Sequence, residues 1–400
     1  MVGNSNPYTA ATWASDIYLA SSKGLDGFVL NIGPDSWQTD QITNAFSAAQ
    51  AAGTFKLVPS FDMTVLPCNS TNDILLLQTY IKTYSTHPNA LQFDGKMLVT
   101  TFSGEKCTFG QASVDAGWTF AVKTGLPAVH FIPAFFSDPS TFVTYTSADG
   151  ALNWNGGWPQ TNTDTNFDTD KTYISALGQK TYLGTVSPWF FTHYGADSFN
   201  KNWIYYFDDW LFSERWEVLI QNRAQVPMVE VLTWNDYGES HYIGPIGGSQ
   251  PNSQAWVTGF DHQGWLDIMH YYIQYYKTGE APAIANDQIF LWARLYPQAA
   301  TAQDPVGPPK NAAWSQDVLW AQFHLTASAD LTLTCGTSTQ TFSAVPAGVS
   351  KQKLPLTSDC TVSAKISRGG SDAVTLAPAG MNFSSSPPSY NFNAFVAASP

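Results

Sequence analysis

The strongest constraint on this chain is an alternation. Short, continuous apolar runs recur along the first part of the sequence, and helical patterns separate them. The runs are "MVGN" (1–4), "GFVLNIG" (27–33), "FKLVPSFD" (55–62), "KMLVTTF" (96–102), "AVHFIPAFF" (128–136), "GALNWNGG" (150–157), "TYLGTVSPWF" (181–190) and "PMVEVLTWND" (227–236). Most are apolar throughout rather than alternating, as expected of parallel strands covered on both faces. Between them lie "TAATWASDIYLASSKG", "TDQITNAFSAAQAAG", "NDILLLQTYIKTYSTH" and "ASVDAGWTFAVKTG", several of which end in a glycine stop. "GWLDIMHYYIQYYKTGE" follows the eighth run, and the link from the fifth to the sixth run is short, so its helix should be small. Eight β-then-α units in about 280 residues predict an α/β fold of the (β/α)8 barrel type over 1–281. After Gly279 the texture changes. A Pro-rich stretch, "QDPVGPPKN", leads into short Thr/Ser/Val-rich runs with frequent turn residues. This predicts an antiparallel β-sandwich as a second domain over 282–400.

Composition narrows the partners. Aromatic residues make up 14% and charged residues 12%, a folded composition. The net charge of −13 repels polyanions, so nucleic acid is not an expected partner. No apolar run reaches the ~20 residues that span a bilayer, so no membrane partner is expected either. Met1 leads straight into the first run, and the chain reads as a mature form whose targeting segment is absent. The four cysteines lack CxxC spacing and fall into two local pairs; Cys68–Cys107 and Cys335–Cys360 is the natural connectivity of the three possible. Sequons at Asn69 and Asn382, together with paired cysteines and few lysines, point to a secreted glycoprotein.

Function in such a barrel gathers at the carboxyl ends of the strands. Those ends carry Asn31, Asp35 and Trp37; Asp62; Glu105; Trp154, Asn155 and Trp158; Trp189, His193 and Tyr194; and finally "EVLTWNDYGESHYIGP" (230–245), with Trp234, Asn235, Asp236, Glu239, His241 and Tyr242. Carboxylates and amides suit sugar hydroxyls, and indole planes suit the C–H faces of pyranose rings. Cleaving a glycosidic bond needs two carboxyls, one that donates a proton and one that activates water or attacks. Each acidic residue taken singly also has a plain structural reading: Asp236 as a turn cap, Glu239 as solvated surface. Asp62 ends an apolar strand and needs a partner there. His193 and His241 are expected to donate to hydroxyls, since no HExxH or paired-His spacing occurs, and no metal or cofactor is expected. No GxSxG elbow or phosphate-cradling glycine loop is present. Asp208 and Asp209 in "FDDWLFSERW" fit a helix cap best, with calcium or sugar binding as alternatives.

In order along the chain, "MVGNSNPYTAATWASDIYLASSKGLDGFVLNIG", "PSFDMT", "NWNGGWP" and "TWNDYGESHYIGP" resemble the fungal α-1,3-glucanases, or mutanases, of glycoside hydrolase family 71. The resemblance covers the barrel and extends to an all-β C-terminal part. It implies endo-acting hydrolysis of α-1,3-glucan, as in mutan or the fungal cell wall, with inversion. It also implies that Asp62, Asp236 and Glu239 are the functional acids, and that residues precede "MVGN" in the first strand. Glu239 is expected as general acid, Asp236 as base and Asp62 as the group that orients water or sugar, in a monomer. The reverse order for Asp236 and Glu239, or Asp62 as base, is open. A glycosidase for another linkage and a non-catalytic glucan binder are the competing classes.

Overall fold

The computed structural model describes residues 1–206 and 208–400. Among the described residues the N-terminal part has an α/β architecture. Strands β1 (Gly27–Ile32), β2 (Lys56–Asp62), β4 (Lys96–Phe102) and β5 (Val129–Ala134) form one parallel sheet in the order β1-β2-β4-β5, with β3 (Gln92–Phe93) antiparallel to β4. A second parallel sheet has the order β10-β7-β6, from β6 (Gly150–Leu152), β7 (Thr181–Val186) and β10 (Met228–Val231). The two sheets meet where Asp149 N–H donates to the Phe131 carbonyl (2.8 Å) and the Asp149 carboxylate accepts from Phe131 N–H (2.9 Å). Buried Val58, Leu98, Ile132, Leu152 and Leu183, with Val29 and Met228 packed against them, form one apolar cluster to which all seven parallel strands contribute.

Helices α1 (Ala10–Ser22), α2 (Gln38–Ala52), α3 (Leu75–Tyr84), α4 (Val114–Val122), α5 (Asp168–Leu177), α6 (Leu211–Gln221), α7 (Gln254–Val257) and α8 (Gly264–Thr278) complete this part. Local chemistry sets their ends: a Thr9–Thr12 capping box starts α1, and Ser113 caps α4 by accepting from Ala116 N–H. No helix among the described residues is long and apolar enough to cross a membrane.

Seven of the eight expected runs contain strands; the first does not. Val2–Ser5 is a 3-10 turn. Ser5 Oγ donates to the Val2 carbonyl (2.7 Å) and Asn4 Nδ2 to the Asn235 carbonyl (2.8 Å), so side chains rather than a ladder hold it. Between β1 and β10 lies a cavity of about 690 Å³ lined by Asn31, Met228, Glu230 and Trp234, among others. Burial pushes the Glu230 carboxyl there up to about 7. The sequence also gave no sign of a hairpin, β8 (Phe191–Tyr194) with β9 (Lys201–Ile204).

The C-terminal region folds as antiparallel sheets. One has the order β15-β12-β11-β19, from β11 (Gln288–Arg294), β12 (Val318–Leu325), β15 (Gly348–Pro355) and β19 (Ala394–Ala398). The other has the order β14-β13-β16-β17, from β13 (Ala329–Cys335), β14 (Ser338–Val345), β16 (Cys360–Arg368) and β17 (Ser371–Leu376), with β18 (Asn382–Phe383) beside β16. Strand alternation explains their placement. Ile289 and Leu291 join Leu333 and Ile366 in a core between the sheets, while Phe290 and Trp292 join the core of the α/β part. The disulfides are Cys68–Cys107 and Cys335–Cys360. On the chain-entropy model each such loop closure stabilises by roughly 3–4 kcal/mol.

One ion pair in the α/β part is fully buried: Arg215 on α6 grips Asp170 on α5 through both carboxylate oxygens (2.6 and 2.7 Å), while Tyr182 donates to the same carboxylate. Asp170→Asn or Asp170→Ala strands the guanidinium. Urea denaturation should show a loss of about 3–5 kcal/mol.

Candidate active site

The polar cluster grows out of the turn after β10. Thr233 Oγ1 accepts from Asp236 N–H (2.9 Å) and faces His241 Nδ1 (3.1 Å). A 3-10 turn, Tyr237–Glu239, then brings Glu239 back beside Asp236. Gly238 permits this turn, since a Cβ there would lie 2.2 Å from the Tyr194 hydroxyl. His241 Nε2 donates to Glu239 Oε2 (3.1 Å) and lies 4.0 Å from Asp236 Oδ2. Behind the imidazole, the rings of Trp158 and Phe190 stand 5.4 and 5.7 Å away. From β9, Lys201 Nζ donates to Glu239 Oε1 (3.2 Å).

The two carboxyls are electrostatically unlike. Burial, then the charge of Glu239, pushes Asp236 above the usual carboxylate range. Burial also opposes ionisation of Glu239, but the hydrogen bond and charge of His241 and the ammonium of Lys201 outweigh it and hold Glu239 below its ordinary value. Lys201 is itself raised: burial opposes its charge, but Glu239, Asp236 and Asp62 together prevail. Asp62, at the end of β2, therefore acts on the same ammonium from across the face, with Oδ1 accepting from Thr64 N–H and hydroxyl. One donor atom each from Asp236, Glu239 and His241 lie within 4.8 Å of one another. His241 Nε2 is engaged by Glu239 and Nδ1 by Thr233, which fixes the imidazole beside both carboxyls.

The other candidate residues divide into three groups. Facing the strand ends, Trp154 is half-buried with its ring 4.8 Å from Phe102, beside half-buried Asn155, and Glu105 Oε2 accepts from Ser103 Oγ (2.9 Å). Phe102 and the exposed Phe136, rings 5.2 Å apart, extend this wall; lying in apolar strand-end runs, they carry no polar sequence signal. At the other side, Asn31 Nδ2 donates to the Met1 sulfur and Asn235 holds the Met1 backbone, while Asp35 accepts from Gln38 beside half-buried Trp37 at the start of α2. Trp234 turns toward α1, where its N–H donates to Asp16 (2.8 Å).

The third group is buried behind the cluster. Trp189 donates to the Phe392 carbonyl (2.9 Å), Trp158 to the Trp189 carbonyl (2.8 Å), and Tyr194 to the Pro251 carbonyl (3.0 Å). Tyr242 stacks on His262, and His193 pairs with Asp304 (2.7 Å). Apolar packing and satisfied polar tips claim these side chains in place of the open ring faces expected of them. Asp208 does not cap α6: it accepts from Gln316 N–H and Trp320 Nε1, and burial pushes it up to about 6. Asp209 lies at the start of α6, pushed up to about 7 by burial. Phe207 of that stretch lies outside the described residues. Lys201 gave no sequence signal, because the hairpin that carries it was not foreseen.

A family model described as glycosyl hydrolase family 71 matches residues 1–400. The chain is 40% identical over 408 residues to a Schizosaccharomyces pombe protein named glucan endo-1,3-alpha-glucosidase agn1, covering 99% of this chain and 92% of the relative. It is 32% identical to a Penicillium rubens mutanase over 99% of this chain and 86% of the relative. Among solved structures it resembles the GH99 endo-alpha-mannosidase from Bacteroides thetaiotaomicron at 14% identity, with a TM-score of 0.51 over 67% of this chain and 80% of that one. That likeness is one of fold.

A carboxyl whose folded pKa is raised destabilises the native state once pH passes its unfolded value, here near 3.8. Asp236→Asn should therefore raise the melting temperature at pH 7. The gain should fade as pH falls toward 3.8, as scanning calorimetry at several pH values will show.

Proposed function

The chain belongs to glycosyl hydrolase family 71, and from that premise we propose that it cleaves α-1,3-linked glucan at internal bonds. The observation that carries the reading is the unlike pair Asp236 and Glu239 at the strand-end face, of which Glu239 is gripped by His241 and Lys201. Relatives named glucan endo-1,3-alpha-glucosidase and mutanase supply the linkage. The parallel strands read as staves of a (β/α)8-type barrel over 1–281, and the C-terminal sheets as a β-sandwich over 282–400. The cluster fed by all seven parallel strands and the core shared between the C-terminal sheets support this. Two disulfides and exposed sequon residues Asn69 and Asn382 support an extracellular, glycosylated protein.

In the mechanism, Asp236 carries the proton to the glycosidic oxygen, because its surroundings favour the neutral form. Glu239 is the base, because the hydrogen bonds from His241 and Lys201 favour its carboxylate. This exchanges the order expected from sequence. Asp62 orients the water or sugar from the facing strand. An inverting pair stands ~6.5–9.5 Å apart with water between, and the nearest oxygens here, within 4.8 Å, are closer than that spacing. Trp154, Phe102 and Phe136 offer the ring faces along which the glucan lies.

Reducing-end release should be seen on α-1,3-glucan and not on α-1,4-glucan, β-1,3-glucan or mannan. Asp236→Asn and Glu239→Gln should each lower kcat by about 10²–10⁴-fold with the fold intact; near-normal turnover in both excludes the assignment. The pH profile of kcat/KM should be a bell. Activity falls below an acid limb under Glu239's ordinary 4.5, and again above an alkaline limb over Asp236's ordinary 3.8.

A further inference from the structure

We infer that Lys201 is a positioning residue for the Asp236–Glu239 pair, and that residues 304–311 of the C-terminal region hold it in place, so that the C-terminal region completes the active site. The inference rests on the reading of that pair as acid and base. Glu239 is held by a divided grip: Oε2 takes a hydrogen bond from His241 and Oε1 takes one from Lys201. Without the lysine, one oxygen loses its donor and the carboxylate is free to turn toward Asp236. Lys201 is well suited to this task. Its side chain is 46% exposed, in a chain of net charge −13, and three carboxylates draw on it.

The position of Lys201 is not set by the α/β part alone. It opens β9, whose one ladder among the described residues is with β8, and a two-stranded ribbon is marginal by itself. The C-terminal region covers the free side of β9. Ile204 N–H donates to the Lys310 carbonyl (3.1 Å) and Lys310 N–H donates to the Asn202 carbonyl (3.0 Å). Asn311 Nδ2 donates to the Ile204 carbonyl (3.0 Å), and Asn202 Nδ2 to the Gly307 carbonyl (3.1 Å). On β8, His193 Nε2 meets Asp304 Oδ2 at 2.7 Å, with the two side chains only 5% and 7% exposed. Strand β9 is thus held between β8 and the 304–311 segment, and the lysine at its start is aimed at Glu239. The titratable groups around Glu239 are Asp236 and His241 on its own turn, Lys201 from β9, Tyr205 just after it, Tyr194 from β8 and Asp62 from β2.

The test is a titration of the Glu239 carboxyl carbon by NMR in the full chain, assigned with Glu239→Gln, alongside the pH profile on α-1,3-glucan. Lys201→Met should move the Glu239 titration and the acid limb up by about half a pH unit or more, and should lower kcat by about tenfold. Lys201→Arg should restore most of both. Asp304→Asn should shift the titration in the same direction. Asn311→Gly, which suits the positive φ of that residue and removes only its amide, should do likewise if Asp304→Asn fails to fold. Combined with Lys201→Met, either should add little, since both act through the same lysine. A Lys201→Met titration superimposed on wild type overturns the positioning role. Effects that multiply in the double variant overturn the link to the C-terminal region. A Glu239 titration that shifts in Lys201→Met as expected, in a chain that cleaves no α-1,3-glucan, overturns the reading of the pair and upholds the placement of Lys201.

Discussion

The divided grip on Glu239 is the contact on which this site depends. A carboxylate beside a second carboxylate in a half-closed setting would ordinarily take up a proton, or both would share one. Here His241 and Lys201 each supply a donor to one oxygen of Glu239, and the burden of burial falls on Asp236 instead. Two acids three residues apart are thereby driven in opposite directions. That difference is what proton transfer to a leaving oxygen and activation of water require of one pair. The rings of Trp158 and Phe190 fix the imidazole from behind, and Thr233 joins it to the Asp236 backbone.

Much of this was legible in the residues because parallel strands leave a strong signature. "KMLVTTF" became β4 at its expected bounds, and "FKLVPSFD" and "GFVLNIG" differ from their strands by one residue each. The turn motif "TWNDYGESH" announced the cluster because so many polar groups after an apolar strand have few structural uses. What was not legible came from partners remote in sequence. Whether Trp189 and Tyr242 present a ring face or hide it is decided by Phe392, Asn393 and His262, which sequence adjacency does not reveal. The Val2–Ser5 turn lacked a ladder partner, so its apolar run gave a false strand. The unlike surroundings of Asp236 and Glu239 were likewise unreadable, because Lys201 arrives on a hairpin whose short strands carry no clear alternation.

The C-terminal sheets share more than a boundary with the α/β part. Strands β11 and β12 are buried on both faces, with one face turned to each core. Asp208, Trp189 and His193 all find their partners across that boundary. A joint this polar and this buried is costly to leave half-made, which ties the integrity of the polar cluster to that of the β-rich region.

The central claim, that Asp236 and Glu239 work on one glycosidic bond, is tested most directly by a crystal structure of Glu239→Gln with a bound α-1,3-linked glucan oligosaccharide. The account predicts a glycosidic oxygen within hydrogen-bond reach of Asp236, and a water near residue 239 on the opposite face of the sugar ring. An oligosaccharide seated away from both residues, with ordered density and full occupancy, would contradict it.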